Sequence, residues 1–561
     1  MRKIFKLFLA CGLSIMANNL LAACPSIQQA INQTGALTGL TSPVTINMPD
    51  GSTAYHYIGH ATLDNATLDY YTQNKPTVVD PLTQVKLLEA AYVAGVQLSS
   101  NQVTANSNAT TCVYLGAMDG VTPQFSSPWN QVIVITSTPS IISLDTKIQN
   151  SIDQFVVTNS AKYGFTAYEV SVLLPGQTEP RNYVSGTQSK EIGNPATTDM
   201  LMQWASITKE FTNVLLVKYL YKHGLTIDYL RHTTLLQLFP EKFSARTWPA
   251  TWAPVTLEQL MNMTSGIGSY DYPFLTFDPN LNWSIDQIIQ KAADYQNKNG
   301  CILAGIGCFT PAGTHYFYSN TNYFILGLVI EKFYQQDFLE VMNQQIITPM
   351  RNAGNSVYEI VNYNYPSNYP PDILQNMINA YSYFDVSQIP DGVFLNIKNG
   401  ENTTNINLTM GRCSGSLTGS TAALTQMAYA LFNSNENFLT PAQTNLFITT
   451  GLVKVLNFQD PESGKPVAYQ NIAAECGTDG CYGHGVMVYY QLPYGEYWTY
   501  GGASLGHATT YFYFPSNKLV VVTAQNAIVQ GSEDYNIVST AEQQQLLQYV
   551  WNYLYPTTVK N

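Results

Sequence analysis

One strongly apolar strand-like segment, Ala167 to Leu174, stands far along the chain from the other β-rich part of the same unit, and that separation constrains the fold most. A helical pattern, Leu144 to Val157, leads into it, and residues from about 206 to 450 read as mainly helical, with long Tyr- and Asn-rich loops. Only then come Val486 to Leu492, Tyr497 to Gly501, Thr509 to Phe514 and Lys518 to Ala524, each short and rich in β-branched or aromatic residues. A last helix, Thr540 to Tyr553, follows, with Leu546, Val550 and Leu554 on one face. An isolated strand has to find partners for its backbone groups. The order strand, helical insert, strands, helix therefore predicts a sheet in which the first strand pairs with the last ones. There is no internal repeat.

Residues 24–140 read as a separate domain. Val44 to Met48, a Pro49-Asp50-Gly51 turn and Thr53 to Tyr57 form a hairpin pattern; Leu82 to Tyr92 is helical in pattern; Val113 to Leu115 and Val132 to Ile135 read as strands. The Ser/Thr/Pro patch Thr136 to Ser140 reads as a linker. His56 and His60 have metal-binding spacing only on a helix, and their surroundings are strand-like.

Residues 1–23 read as a signal peptide: Arg2, Lys3 and Lys6, an apolar run from Leu7 to Met16, then Leu21-Ala22-Ala23. Leu21 to Cys24 also fits a lipobox, which makes a lipid anchor at Cys24 an alternative to simple secretion. No later segment has the roughly 18 apolar residues of a spanning helix. Charged residues make up 11% of the chain, against about 25% in ordinary soluble proteins, a balance in keeping with a periplasmic or secreted protein. The net charge of −12 argues against a nucleic-acid partner, which requires a basic face.

In an oxidising compartment, Cys301 with Cys308 and Cys476 with Cys481 read as local disulfides. Cys24 is expected to pair with Cys112, which leaves Cys413 free; a lipidated Cys24 would instead leave Cys112 with Cys413 or with no partner. No CxxC pair exists, histidines are sparse, and no metal or other cofactor is expected.

Three stretches carry chemistry. Ser206 and Lys209 are three residues apart at the start of a helix that continues through the apolar run Phe211 to Tyr221, so hydroxyl and amine share a face as nucleophile and base. Tyr318-Ser319-Asn320 follows a Pro/Gly turn and opens another helix; Tyr318 is placed to relay a proton and Asn320 to bond an amide or a lysine. Tyr500-Gly501-Gly502-Ala503 ends a strand, where two glycines permit close approach of a ligand and leave the Ala503 amide for an oxyanion. His484 and His507 read as structural residues.

Taken in this order, the three stretches resemble the serine β-lactamase and penicillin-binding-protein superfamily, in its class C-type branch of β-lactamases, D-alanyl-D-alanine carboxypeptidases, D-aminopeptidases and related esterases. Its S-x-x-K is matched by Ser206 and Lys209, its Y-x-N by Tyr318 and Asn320, and its third motif by Tyr500-Gly501-Gly502. Val255 to Gly266, Gly415 to Ala423, Tyr482 to Gly485, Phe514-Pro515 and Gln525-Asn526 resemble flanking segments. The resemblance covers about 143–557. It implies an α/β (α+β) fold, with an antiparallel sheet flanked by helices and an all-helical subdomain, beside a small N-terminal α+β domain. It also implies an acyl-enzyme at Ser206, with Lys209 or Tyr318 as the acylating base and Tyr318 as base for the water that releases the acyl group. Asn320, Tyr500, Gly501, Gly502 and Ala503 would hold a small-molecule or short-peptide substrate.

The chain departs from the family pattern at position 500, where a Lys or His that helps hold a substrate carboxylate is replaced by a neutral Tyr. A charge-assisted bond is about twice as strong as a neutral one. An ester or small-amide hydrolase is therefore expected ahead of a D-Ala-D-Ala carboxypeptidase or β-lactamase proper, or of a non-catalytic binding protein on the same fold. Arg412 and His507 remain as carboxylate-holding candidates.

Overall fold

The computed structural model describes residues 143–271, 281–299, 311–352, 369–385, 397–433, 439–457, 459–530 and 533–556, with further strand segments at 45–47, 54–63, 66–72, 101–106, 109–116, 131–137, 361–362 and 393–394. The chain divides into two compact units, one ending at Ser143 and the other running from Leu144 onward.

The first unit contains a six-stranded antiparallel sheet. Its strands are β1 (Thr45–Asn47), β2 (Ala54–Leu63), β3 (Ala66–Thr72), β4 (Asn101–Asn106), β5 (Ala109–Gly116) and β6 (Gln131–Ser137), in the order β1-β2-β3-β6-β5-β4. The hairpin expected from Val44 to Tyr57 is β1 paired with β2, Ile46 opposite Tyr55. His56 and His60 both lie on β2, a strand, as their surroundings suggest. The expected helix Leu82 to Tyr92, the signal peptide and Cys24 lie outside the described residues.

The second unit opens with α1 (Leu144–Tyr163), β7 (Ala167–Leu173) and β8 (Arg181–Gly186). After the helical insert come β9 (Val453–Lys454), β10 (Cys481–Tyr482), β11 (Met487–Gln491), β12 (Gly495–Ala503), β13 (Ala508–Phe514) and β14 (Leu519–Gln525). They form one eight-stranded antiparallel sheet in the order β9-β10-β11-β12-β13-β14-β7-β8. The expected pairing of the first strand with the last ones is β7 against β14, Val170 opposite Thr523.

Both faces of this sheet are covered, and strand periodicity sorts its side chains between them. Tyr168, Val170 and Val172 of β7, with Leu519 and Val521 of β14, pack with Ile148 and Ile152 of α1 and with Leu546 and Val550 of the closing helix Glu533–Leu554. Leu173, Val520 and Val522 join the larger core with Leu424, Met427 and Leu431 of the helix Thr421–Phe432. That core continues into the helical part through Leu257 and Leu260, Ile288 and Ile289, and Phe324 to Ile330. Cys476 and Cys481 form a disulfide, and Cys413 is buried without one. Cys301, Cys308 and the partner expected for Cys112 are outside the described residues.

Glu169 sits in the middle of β7, fully buried, on the face toward the start of the helix Thr421–Phe432. Burial pushes its carboxyl up to about 8, against the pull of the Thr421 hydroxyl and amide. Its folded value lies above the unfolded one, near 4.5, so its contribution is fully present below 4.5 and is lost as pH rises through about 8. We expect Glu169→Gln to melt with the wild type near pH 4.5 and clearly above it at pH 8, by an amount on the order of a few kcal/mol. Parallel melting curves for the two proteins across this range would refute the assignment.

Candidate active site

Ser206 lies in the short turn Ala205–Ile207 that leads into the helix α2 (Thr208–Lys222). Ala205 is held at φ +47°, a left-handed conformation that costs a non-glycine residue energy. The neighbourhood fixes it: the Trp204 amide donates to Leu417 O at 2.8 Å and its indole N–H to Gly419 O at 3.0 Å. A Cβ at Gly419 would meet the Trp204 ring at 2.4 Å, so glycine is required there. Thr208 Oγ1 accepts from the Leu417 amide, and Thr212 Oγ1 donates to Cys413 O, tying the first two turns of α2 to 413–417. Every residue from Thr208 to Val217 is buried. Such a helix is held by packing on all sides rather than by an amphipathic face. It ends at Gly224, φ +65°, with the Leu225 amide reaching back to Leu220 O.

Lys209 is the second residue of α2; its Nζ lies 2.9 Å from Ser206 Oγ and donates to Ser414 O at 2.7 Å. It sits 5.0 Å from the centre of the Tyr318 ring and 5.6 Å from that of Tyr323. Lys209 is wholly buried, and desolvation holds its amine well below the usual lysine range, with the Asp271 charge opposing the shift.

Tyr318 OH lies 2.7 Å from Ser206 Oγ, the same oxygen that the Lys209 amine reaches. Its loop is pinned to the segment that ends in Thr264-Ser265-Gly266: Gly313 N donates to Thr264 O, Phe317 N to Met263 O, and Ser265 Oγ to Asn322 Oδ1. This gives a physical role to a stretch that the sequence marks only by resemblance. Burial pushes the Tyr318 phenol up, and hydrogen bonds with Ser206 and Tyr500 only partly offset this.

Asn320 is the first residue of the helix α3 (Asn320–Tyr334). Its amide N–H donates to Ser269 Oγ at 2.8 Å, and its side-chain Nδ2 to Asp271 Oδ2 at 2.7 Å. The partner that the structure gives the Asn320 side chain is thus Asp271, where the sequence suggests an amide or a lysine. Neither Asp271 nor the Ser414 carbonyl carries a local signal in the sequence; Asp271 arrives from a turn and Ser414 from the short helix Arg412–Gly415.

Strand β12 brings the third stretch against the nucleophile's turn. A Cβ at Gly502 would lie 1.9 Å from Trp204 O and 2.8 Å from Ser206 N, so only glycine permits this approach. Gly501 and Ala503 are exposed on either side. Tyr500 is buried, its hydroxyl 3.3 Å from Tyr482 OH, which lies 3.1 Å from Tyr323 OH. Asn213 Nδ2 donates to Tyr323 OH at 2.9 Å, and that hydroxyl lies 3.1 Å from Met261 O. Burial keeps these phenols neutral.

The other carboxylate-holding candidates are engaged elsewhere. His507 is buried; its Nδ1 accepts from the Gln203 amide at 3.2 Å, its Nε2 lies 2.8 Å from Ile378 O, and burial pulls it down to about 4. Arg412 pairs with Asp337 at 2.8 Å. His484 is buried behind Gly451 and is likewise pulled down to about 4. Among the described residues no group of His, Cys, Asp and Glu is arranged to hold a metal, and no helix is long and apolar enough to cross a membrane.

Residues 152–542 match the beta-lactamase family model. The chain belongs to the beta-lactamase family. Solved structures share its fold. The D-amino acid amidase of Ochrobactrum anthropi SV3, complexed with D-phenylalanine, superposes with a TM-score of 0.55 at 17% identity, over 73% of this chain and 99% of that one. A D-stereospecific amidohydrolase from Streptomyces sp. gives 0.50 at 20% identity, over 71% and 97%. Family membership, with the hydroxyl, amine and phenol gathered at Ser206, supports a serine hydrolase acting on amides or esters. The N-terminal unit lies outside the beta-lactamase match.

Proposed function

We propose that this protein is an exported serine hydrolase that cleaves a small amide or ester through an acyl-enzyme at Ser206. The observation that carries the reading is a buried Lys209 amine 2.9 Å from Ser206 Oγ, with Tyr318 OH 2.7 Å away from the same oxygen.

A lysine held neutral by burial can accept the Ser206 proton as Oγ attacks the scissile carbonyl. Ser414 O orients the amine by accepting one of its protons. Tyr318, whose phenol is pushed up, stays protonated and serves as relay: it passes a proton to the leaving nitrogen or oxygen and is reprotonated from Lys209. The two groups titrate together. The backbone N–H groups of Ser206 and Ala503 are the proposed oxyanion donors, and Gly502 sets their separation. Losing one such donor typically costs about 3 kcal/mol of barrier. Water then attacks the acyl-enzyme, with Lys209 as base through Tyr318; a deprotonated Tyr318, expected from the sequence for this step, is opposed by its burial.

A neutral Tyr500, and the commitment of His507 and Arg412 to other partners, favour a substrate without a required carboxylate over a β-lactam or a D-Ala-D-Ala terminus. The amidase names of the structural neighbours favour an amide.

The test is labelling of the exported protein by a fluorophosphonate probe, read by intact mass. One adduct per chain is expected, lost in Ser206→Ala. A mass that begins at residue 24 would support the signal peptide, and added lipid mass would place the anchor at Cys24. An adduct that survives in Ser206→Ala would overturn the reading.

A further inference from the structure

Asp271 is an exposed carboxylate at the edge of the site, and nothing in the acyl-transfer scheme uses it. Two contacts aim it. Oδ2 accepts from Asn320 Nδ2 at 2.7 Å, and Oδ1 accepts from Ser269 Oγ, which itself accepts from the Asn320 amide. Both contacts come from neutral groups, and each oxygen keeps a lone pair. Among the described residues no Lys, Arg or His forms an ion pair with it. Its contact with Asn320, two residues on from Tyr318, sets it beside the reacting groups, and its charge bears on both Lys209 and Tyr318.

The charges around it leave it unbalanced. Burial favours the neutral amine of Lys209, and the phenols of Tyr318, Tyr323, Tyr482 and Tyr500 are kept neutral by burial. The position in β12 that could carry a cation is Tyr500. A pocket with one uncompensated carboxylate attracts a cationic ligand group and repels an anionic one.

We propose that Asp271, presented by Asn320 and Ser269, is the specificity residue of this site and binds a protonated amine close to the scissile carbonyl, so that the substrate class is aminoacyl amides or esters with a free ammonium group. The proposal rests on the acyl-enzyme reading above. Asn320 thereby acts through Asp271 as a positioning residue. The same charge disfavours substrates whose recognition depends on a carboxylate.

The experiment compares kcat/KM for alanine p-nitroanilide, in both enantiomers, with propionic acid p-nitroanilide and N-acetylalanine p-nitroanilide, which lack the ammonium. The wild type should prefer the better alanine enantiomer by about 10- to 100-fold, the range expected for a hydrogen bond to a charged group. The ratio should fall to near parity in Asp271→Asn, mainly through KM, and Asp271→Glu, which keeps the charge, should retain part of it. A purely structural Asp271 would lower all substrates together and leave the ratio intact, and that result would overturn the proposal, as would a wild type without the preference. Failure of the fluorophosphonate to label Ser206 would overturn the acyl-enzyme reading and this one with it; labelling with an unchanged ratio would overturn this one alone.

Discussion

Lys209→Met is expected to lower the acylation rate by about 1,000- to 10,000-fold and, at the same time, to raise the melting temperature at pH 7. The first effect follows from position. Nζ is 2.9 Å from Ser206 Oγ, and among the described residues no other amine, imidazole or carboxylate contacts that oxygen. The second follows from burial. Lys209 is wholly buried and its folded pKa lies well below 10.5, so the folded state binds fewer protons here than the unfolded state. The penalty is absent above the unfolded pKa, grows as pH falls below it, and is complete once pH is under the folded pKa. Methionine fills a similar space without an amine to desolvate. The wild-type kcat/KM should rise with pH as Lys209 loses its proton, with an acid limb well below the ordinary lysine range, and Lys209→Met should lack that limb. Pre-steady-state acylation, pH–rate profiles and thermal melts of both proteins check this. A variant that keeps its acylation rate would remove Lys209 from the base role.

The second large effect is expected from Gly502→Ala. The added Cβ would fall 1.9 Å from Trp204 O and 2.8 Å from Ser206 N, both backbone atoms that cannot swing aside. Either β12 or the Ala205–Ile207 turn has to move. A displacement of about 1 Å at a reacting geometry costs roughly 100-fold, and loss of an oxyanion donor about 100- to 1,000-fold. Overpacking of this kind also destabilises by about 1–3 kcal/mol. Gly501→Ala is the milder neighbour, since its Cβ meets Thr510 Oγ1 at 3.3 Å and Thr509 O at an ordinary 3.8 Å. Acylation rates and melting temperatures of the two variants should therefore separate clearly. Equal behaviour would show that β12 does not press on the nucleophile's turn.

The pairing of β7 with β14 and the strand limits were readable because strand periodicity and apolar runs are local properties of the chain. The helix α2 was readable too, as an apolar run with a Ser-x-x-Lys start. Asn320 was read as a partner for an amide or a lysine, yet its side chain reaches Asp271 at 2.7 Å. The sequence leaves His507 and Arg412 open to a carboxylate, whereas in the fold the Gln203 amide and Ile378 O engage the first and Asp337 the second. In each case the chemical group was visible and its partner was not.

By itself, then, the sequence determined the order of the elements, the three stretches that carry a nucleophile, an amine, a phenol and a glycine pair, and the loss of a cation at position 500. The tertiary structure decided what those groups do to one another. Desolvation of Lys209 comes from α2 being buried on every side, and the closeness of Gly502 to Ser206 comes from the packing of β12 against a turn almost 300 residues earlier in the chain. The Asp271–Asn320 contact likewise joins a turn to the start of α3, 49 residues further along the chain. Burial and through-space contact depend on how distant segments pack, and a linear pattern holds no term for either.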